Sequence, residues 1–445
     1  MSKIRQYIST FVLIRGFGIA LLSSAFIYLN YYGFSSPLLN TFLAITSFYL
    51  LLKEDKKVWF SYGFFIGILW FWWIGLSFQH YHMPWAIPFV ILFVGLGYGI
   101  IFWMIAKISD FAVGCCTPTT PKTNLFKWCC QGTTPYIISL TVKAIGLLLL
   151  SYIHPFGFDW LKPELVFIES YLGIEKWQFA TILSALVLSL WKKQYLYLLL
   201  ILLAYQPTTK MIQSNAKNIQ VVTTHTTVED KWNTSQHTAQ FAKLFASIDK
   251  AIDDNRTLII LPESVFPVFI NRSQSLIDEL QAKAKLISIV TGGLYWDKKT
   301  PRNSTYIFTH GKVTVANKVV LVPFGESNPL PDFLSDWVNK VFYDGAVDYV
   351  ASDKVTDFNI SGTIYRSAIC FEASSERLYE KSPQNMIVIS NNVWITPSIE
   401  PTLQRLLLQY YSKKYGTTIY HSVNMSPSYC VTKERVITNL SNRQR

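Results

Sequence analysis

The chain has 445 residues, half of them apolar, only 15% charged, with a net charge of +12 and a mean hydropathy of +0.24. The apolar residues crowd into the first 206 positions, which excludes a wholly soluble protein and predicts a membrane half followed by a globular half. No basic stripe with interleaved stacking aromatics accompanies the positive charge, and many lysines and arginines flank apolar runs, so the charge reads as topogenic and nucleic acid is not an expected partner.

Met1-Ser2-Lys3-Ile4-Arg5 precedes a long apolar run. No small-residue cleavage pattern stands near Ser23 to Ala25 and further runs follow, so a retained first helix is expected instead of a signal peptide. Apolar runs at 11–29, 38–52, 59–78, 85–108, 136–153, 177–191 and 195–205 predict seven spans, several with Trp and Tyr at their ends. The last two are short against the roughly 20 residues a spanning helix needs.

Lys3 and Arg5 precede the first run, Lys53, Lys56 and Lys57 follow the second, Lys107, Lys122 and Lys127 the fourth, Lys192 and Lys193 the sixth. The loops at 30–37 and 79–84 hold no Lys or Arg. This alternation predicts a cytoplasmic N-terminus and a second half on the outer side; Lys162, in a loop with Asp159, Glu164 and Glu169, is the exception. Arg15 and Lys143 sit near span ends and are expected to snorkel. Cys115-Cys116 and Cys129-Cys130 are adjacent pairs, poor as tetrahedral ligands and without a nearby ligand-type His, so reduced thiols are expected and no metal.

Beyond Gln206-Pro207 the texture becomes short β-rich runs alternating with amphipathic helices, which predicts a layered α/β domain over 207–445. Expected strands are 219–222, 258–261, 286–291, 305–309, 313–318, 363–369, 386–390 and 418–422; expected helices are 235–252, 273–285 and 401–415. The strand at 363–369 delivers Cys370 beside Glu372 at a strand-to-helix turn, the layout of a nucleophile whose sulfur can face a pocket, although a lone cysteine is more often a buried small hydrophobe. A thiol nucleophile needs a base and an oxyanion partner. The run at 258–261 ends in Pro262-Glu263, and the strand from Val315 carries Lys318 and then Val322-Pro323-Phe324-Gly325-Glu326. Singly, Glu263 reads as a cap or surface acid and Lys318 as a solvated strand residue; Glu, Lys and Cys in that order at strand ends are harder to dismiss.

This order resembles the nitrilase, or carbon-nitrogen hydrolase, superfamily, and the whole chain resembles its membrane-embedded branch, the apolipoprotein N-acyltransferases. The family's P-E, lysine with V-P-F-G-E, and C-Y-E signatures are matched by Pro262-Glu263, by Lys318 with Val322 to Glu326 continuing into Asn328-Pro329-Leu330, and by Cys370-Phe371-Glu372. Gly157-Phe158-Asp159-Trp160 is similar to a G-F-P-W loop, and 63–73 to a Gly- and Trp-rich third span. The resemblance implies a multi-spanning helical domain over 1–206 and a nitrilase-like αββα sandwich, without a cofactor. It implies Glu263 as general base, Lys318 as oxyanion stabiliser and Cys370 as acylated nucleophile. Glu326 would orient the lysine, Glu372 and Phe371 would support the nucleophile, and Trp232 would contact lipid or acyl chain, ordinary core packing being its bland alternative. Phospholipid would be the acyl donor and a diacylglyceryl apolipoprotein the acceptor, at the outer face of a bacterial inner membrane, with the protein a monomer.

The chain departs from the family pattern at Thr223-Thr224-His225, where Q-G-N is usual, at Asp159, at Phe371, and at Gln404 and Gln409 on a helix that usually carries His and Arg. It ends at Arg445 without the family's last span, so tethering at one end is expected. A membrane-tethered amidase and a catalytically silent nitrilase-fold binding module stand as alternatives. Cys370 and Cys430 are both expected to be reduced.

Overall fold

Long apolar helices build the first of two units of the chain, which consists of Met1–His154, Asp159–Thr208 and Ser398–Leu406. The computed structural model describes residues 9–116, 135–206, 218–298, 300–328, 348–434 and 436–438. Its helices are α1 (Thr10–Tyr31), α2 (Pro37–Lys53), α3 (Lys56–Phe71, running on as a 3-10 helix to Tyr81), α4 (Ile87–Cys116), α5 (Pro135–Leu149) and α6 (Lys176–Lys192). Ser9 and Asp55 cap α1 and α3 by accepting from backbone N–H groups of their first turns. Close packing of α3 on α4 depends on glycine: a Cβ at Gly63 would lie 2.6 Å from the Tyr98 carbonyl oxygen, and one at Gly67 2.9 Å from that of Val94.

Among the described residues four helices are long and apolar enough to cross a membrane, Thr10–Tyr31, Lys56–Tyr81, Pro84–Gly114 and Pro135–Tyr152. The seven expected spans are not met by this measure. The segment Tyr195–Ala204 is a 3-10 helix of 10 residues, which at a rise of about 2.0 Å per residue reaches about 20 Å, short of the roughly 30 Å hydrocarbon core. Its end returns to bridge Leu172 through Tyr205.

The expected snorkelling of Lys143 is also corrected. Its Nζ is buried and donates to the carbonyl oxygens of Glu54 at 2.6 Å and Leu52 at 3.4 Å, satisfying orphan acceptors at the C-terminal end of α2. Arg15 pairs with Glu54 at 2.7 Å. Lys162, the charge that broke the loop alternation, is buried 3.8 Å from Asp159. Cys115 and Cys116 close α4 with side chains outside the described part; Cys129, Cys130, Lys3, Arg5, Lys122, Lys127, Pro329 and Leu330 lie outside the described residues altogether.

The second unit comprises Pro155–Phe158, Thr209–Pro397 and Leu407–Arg445. After β1 (Ile219–Val221), β2 (Thr223–Thr224), the short helix α7 (Val228–Trp232) and α8 (His237–Asp253) come β3 (Leu258–Ile260), β4 (Phe266–Phe269), α9 (Gln274–Lys283), β5 (Ser288–Asp297), β6 (Thr300–Thr309) and β7 (Lys312–Asn317). Then follow β8 (Asp357–Ile360), β9 (Thr363–Ile369), β10 (Asn385–Asn391), α10 (Glu400–Tyr415, of which the part from Leu407 belongs to this unit), β11 (Thr418–Asn424), β12 (Tyr429–Val431) and β13 (Val436–Ile437). They form two sheets, β1-β3-β5-β6-β7 with β4 beside β5, and β13-β12-β11-β10-β9-β8 with β2 beside β11. Alternation along β3 explains the layering. Leu258 and Ile260 join a core with Ile369, Ile387, Ile389 and Cys430 of the other sheet, whereas Ile259 and Leu261 pack with Leu244 and Ile248 of α8 and Leu280 of α9. This is the expected sandwich of two sheets with helices outside. The strands β2, β4, β8, β12 and β13 and the helix α7 were not expected from the sequence.

Candidate active site

Parallel pairing aligns the strand ends that carry the candidate residues. In one sheet Ile260 is paired with Val221 and Val290, and in the other Ile369 is paired with Ile389, which in turn faces Ser422. Chain leaving β3 therefore presents Glu263, and chain leaving β9 presents Cys370, at carboxyl ends of parallel strands, where α/β sheets place their ligands. Turns there are tight enough to hold non-glycine residues in the left-handed region: Ser264 (φ 50°), Phe324 (φ 62°), Cys370 (φ 53°) and Met425 (φ 70°). Such backbone costs about 1–3 kcal/mol per residue and persists only where surrounding structure imposes it.

One such imposition is visible at Gly292 of β5. A Cβ there would lie 2.4 Å from the backbone nitrogen of Ser264 and 2.7 Å from the Cα of Glu263, so only glycine lets β5 run against the turn that carries Glu263.

Lys318 is 1% exposed, and its Nζ meets Glu326 Oε2 at 2.7 Å. Burial alone would lower its pKa, but the charges of Glu326, Glu263, Cys370 and Glu372 outweigh burial and hold it above the ordinary lysine value. It is therefore a fixed ammonium among three carboxylates and the thiol. Glu263 is buried, which raises its pKa; Glu326 raises it further, while Lys318, Asn303 and Lys231 oppose the rise. A carboxylate with raised basicity facing a fixed cation is suited to taking a proton from a thiol.

Glu326 accepts from the Val322 N–H at 2.9 Å, which fixes its headgroup against Lys318. Glu372 is buried and accepts from Ile369 N at 2.8 Å with one oxygen and from Val319 N at 2.7 Å and Val320 N at 3.1 Å with the other. It thereby ties the Cys370 turn to the chain just past Lys318. Burial pushes its pKa up to about 7, against the pull of Lys318 and those N–H groups. Phe371 is buried and stacks on Phe158, ring centroids 5.6 Å apart. Trp232 ends α7, and its side chain lies outside the described part.

Sequence reasoning missed two polar residues here. Asn303, on β6, is 4% exposed and donates from Nδ2 to Glu263 Oε1 at 2.7 Å and to Glu326 Oε1 at 2.9 Å. Lys231, on α7, is 6% exposed, and its charge acts on Glu263. Of the departures noted in the sequence, Thr223 donates to Ser428 and Thr224 to Asn424 through their hydroxyls, and His225 is exposed. Gln404 and Gln409 are buried.

A family model described as the apolipoprotein N-acyltransferase integral membrane domain matches residues 10–208. The chain is 39% identical over 417 residues to the apolipoprotein N-acyltransferase of Wolinella succinogenes, covering 92% of this chain and 93% of that one. It is 35% identical to that of Helicobacter hepaticus over 89% and 94% of the two chains, and 30% identical to that of Campylobacter jejuni over 96% and 91%. Among solved structures, an amidase from Nesterenkonia sp. aligns at 12% identity with a TM-score of 0.38, over 51% of this chain and 87% of that one. The length and identity of the matches to the curated relatives leave one conclusion: the chain belongs to the apolipoprotein N-acyltransferase family.

Proposed function

We propose that this protein moves a fatty acyl chain from a phospholipid, through a thioester on Cys370, to the α-amine of the diacylglyceryl-cysteine that begins an apolipoprotein. The observation that carries the reading is the convergence of Glu263, Lys318 and Glu326 on the turn of Cys370, in a chain whose first half is an integral membrane domain by family. Both substrates are lipids, and the loop charges favour a second unit on the outer side of the inner membrane. The reaction requires no cofactor, and nothing in it demands more than one copy of the chain.

In the first half-reaction Glu263 takes the thiol proton, and the Cys370 sulfur attacks the ester carbonyl. Carbonyl electrons move onto oxygen, where the Lys318 ammonium and the Phe371 backbone N–H meet the negative charge. Collapse expels the lysophospholipid alkoxide, which receives the proton from Glu263. In the second half-reaction the acceptor amine attacks the thioester, Glu263 removes a proton from nitrogen, and the thiolate leaves and is reprotonated. Glu326 and Glu372 hold Lys318 and the nucleophile turn in register throughout.

The test follows a phospholipid with a labelled acyl chain in the presence of a diacylated lipopeptide. Label recovered as amide on the lipopeptide is the expected result. Label recovered as free fatty acid would indicate a membrane-tethered hydrolase, and no consumption of phospholipid would indicate a silent binding module.

A further inference from the structure

The headgroups of Lys318 and Glu326 meet each other at 2.7 Å, but the chain that carries them runs on past the end of β7, and its own N–H and C=O groups need partners. One partner is β6, where the Asn303 carbonyl accepts from Lys318 N at 3.0 Å. The other is a strap at 348–353, which is neither helix nor strand. Ser352 N donates to the Lys318 carbonyl at 2.8 Å, and Tyr349 N donates to that of Glu326 at 2.9 Å. The strap thus grips the backbone of both members of the ion pair.

Two arginines fasten the strap by its carbonyl oxygens. Arg302, next to Asn303 on β6, donates from Nη1 to the Val350 carbonyl at 3.2 Å and to that of Ala351 at 3.0 Å, while its Nε meets Asp297 at 2.9 Å. Arg377, in the 3-10 helix Glu376–Tyr379 that follows the Cys370 turn, donates to the Asp353 carbonyl at 2.6 Å and to that of Val319 at 3.4 Å. A planar guanidinium presents five donors in a fixed fork, so one Arg302 side chain serves a carboxylate and two carbonyls at once. The Val350 side chain is 39% exposed, so packing adds little there and the hydrogen bonds decide where the strap lies. The Arg302 side chain is only 17% exposed, whereas Arg377 is exposed, which makes Arg302 the firmer hold.

The two holds come from opposite layers. Arg302 stands on β6 of one sheet, and Arg377 follows β9 of the other, so the strap sets Lys318 of the first layer against Cys370 of the second. Oxyanion donors act at about 2.7–3.1 Å from the developing charge, and a misplacement near 1 Å costs about 100-fold in rate. Small movements of the Lys318 backbone are therefore expensive.

We propose that Arg302 is a positioning residue for Lys318: by fastening the strap at Val350 and Ala351 it fixes where the ammonium stands relative to the Cys370 sulfur. Arg302 touches neither substrate nor reacting atoms and acts only through the backbone bonds of Ser352 and Tyr349. The kinetic consequence rests on the acyl-transfer reading; the placement of Lys318 beside the thiol does not. The bland alternative is an ordinary strand-end ion pair. Asp297, its carboxylate partner, is 38% exposed, and such pairs contribute little, so removing Asp297 separates the two roles.

The test uses full-length enzyme in detergent. Arg302→Met keeps an aliphatic stem and removes every donor, Arg302→Lys offers one point charge in place of the fork, and Asp297→Asn removes only the ion pair. Single-turnover acylation by phospholipid is expected to slow about 10- to 100-fold in Arg302→Met with the final yield of acyl-enzyme unchanged, to slow less in Arg302→Lys, and to change by no more than about threefold in Asp297→Asn. Alkylation of Cys370 by iodoacetamide, with Cys430 fully buried, is followed across pH as a second readout. An ammonium close by favours the thiolate, so the reactive limb is expected to move to higher pH in Arg302→Met and to stay in place in Asp297→Asn. Equal effects in Asp297→Asn would assign the loss to the ion pair and overturn the proposal. So would an unchanged rate and alkylation profile in Arg302→Met, or a lower yield of acyl-enzyme with both unchanged, which is the mark of lost folded protein. If Arg302→Met does not fold, Arg302→Lys decides: a wild-type rate and profile there overturn the proposal. Absence of any wild-type thioester, with the alkylation shift present, would instead overturn the acyl-transfer reading and leave the positioning of Lys318 standing.

Discussion

Asn303 donates to Glu263 Oε1 at 2.7 Å, and the same Nδ2 reaches Glu326 Oε1 at 2.9 Å, so one amide sets the distance between the proposed base and the carboxylate paired with Lys318. A hydrogen bond to a charged group contributes about 1.5–3 kcal/mol, and this one opposes the burial that raises Glu263. Asn303→Leu keeps the volume and loses the donor. The acid limb of Cys370 acylation is expected to move to higher pH, with a rate loss at pH 7 of roughly 10- to 100-fold. Acylation rate against pH checks it; an unshifted limb would separate Asn303 from Glu263.

Lys318 is the site's fixed ammonium, paired with Glu326 at 2.7 Å. Lys318→Met leaves Glu326, Glu263 and Glu372 uncompensated and is expected to cost about 3–5 kcal/mol of stability as well as roughly 100-fold or more in rate. Adding Glu326→Gln is expected to return part of the stability and none of the activity. Thermal unfolding and acyl-enzyme formation, measured on both variants, read the two effects separately.

Gly292→Ala puts a methyl 2.4 Å from the Ser264 nitrogen and 2.7 Å from the Glu263 Cα. Backbone must move there, and a misplacement near 1 Å costs about 100-fold in rate. The variant is expected to be folded by circular dichroism and slow in acylation.

Glu400 is 4% exposed, and burial pushes its pKa up to about 8, whereas an unfolded glutamate titrates near ~4.3. The folded chain therefore holds this proton more tightly. Its contribution to stability is complete below about pH 4.3 and is lost as pH rises toward 8. Glu400→Gln removes that loss and is expected to raise stability at pH 7 by an amount on the order of 3 kcal/mol, with no gain at pH 4. Melting temperatures at the two pH values decide it.

Legibility in the sequence followed periodicity. The strand expected at 363–369 is β9 residue for residue, because its apolar run stops where Cys370 turns. By contrast, β6 begins at Thr300, not 305. Pro301, Arg302 and Asn303 break the apolar pattern, and only the antiparallel ladder to β5 keeps them in the strand. Asn303 was hidden for that reason. Lys231 follows Glu229-Asp230 and reads as a solvated charge; the hydrogen bonds of Asn424 and His237 that hold its helix come from residues far along the chain or on the next helix. Lys143 looked like a snorkelling residue because its position in its own helix is legible, while the end of α2 that it meets is tertiary information.

The most direct measurement of the central claim is the intact mass of the purified protein after incubation with phospholipid, before and after a diacylated lipopeptide is added. The account predicts one added acyl chain on the wild type, sensitive to thioester cleavage and discharged by the lipopeptide, and none on Cys370→Ala. An adduct that persists in Cys370→Ala, or one that the lipopeptide leaves in place, would contradict it.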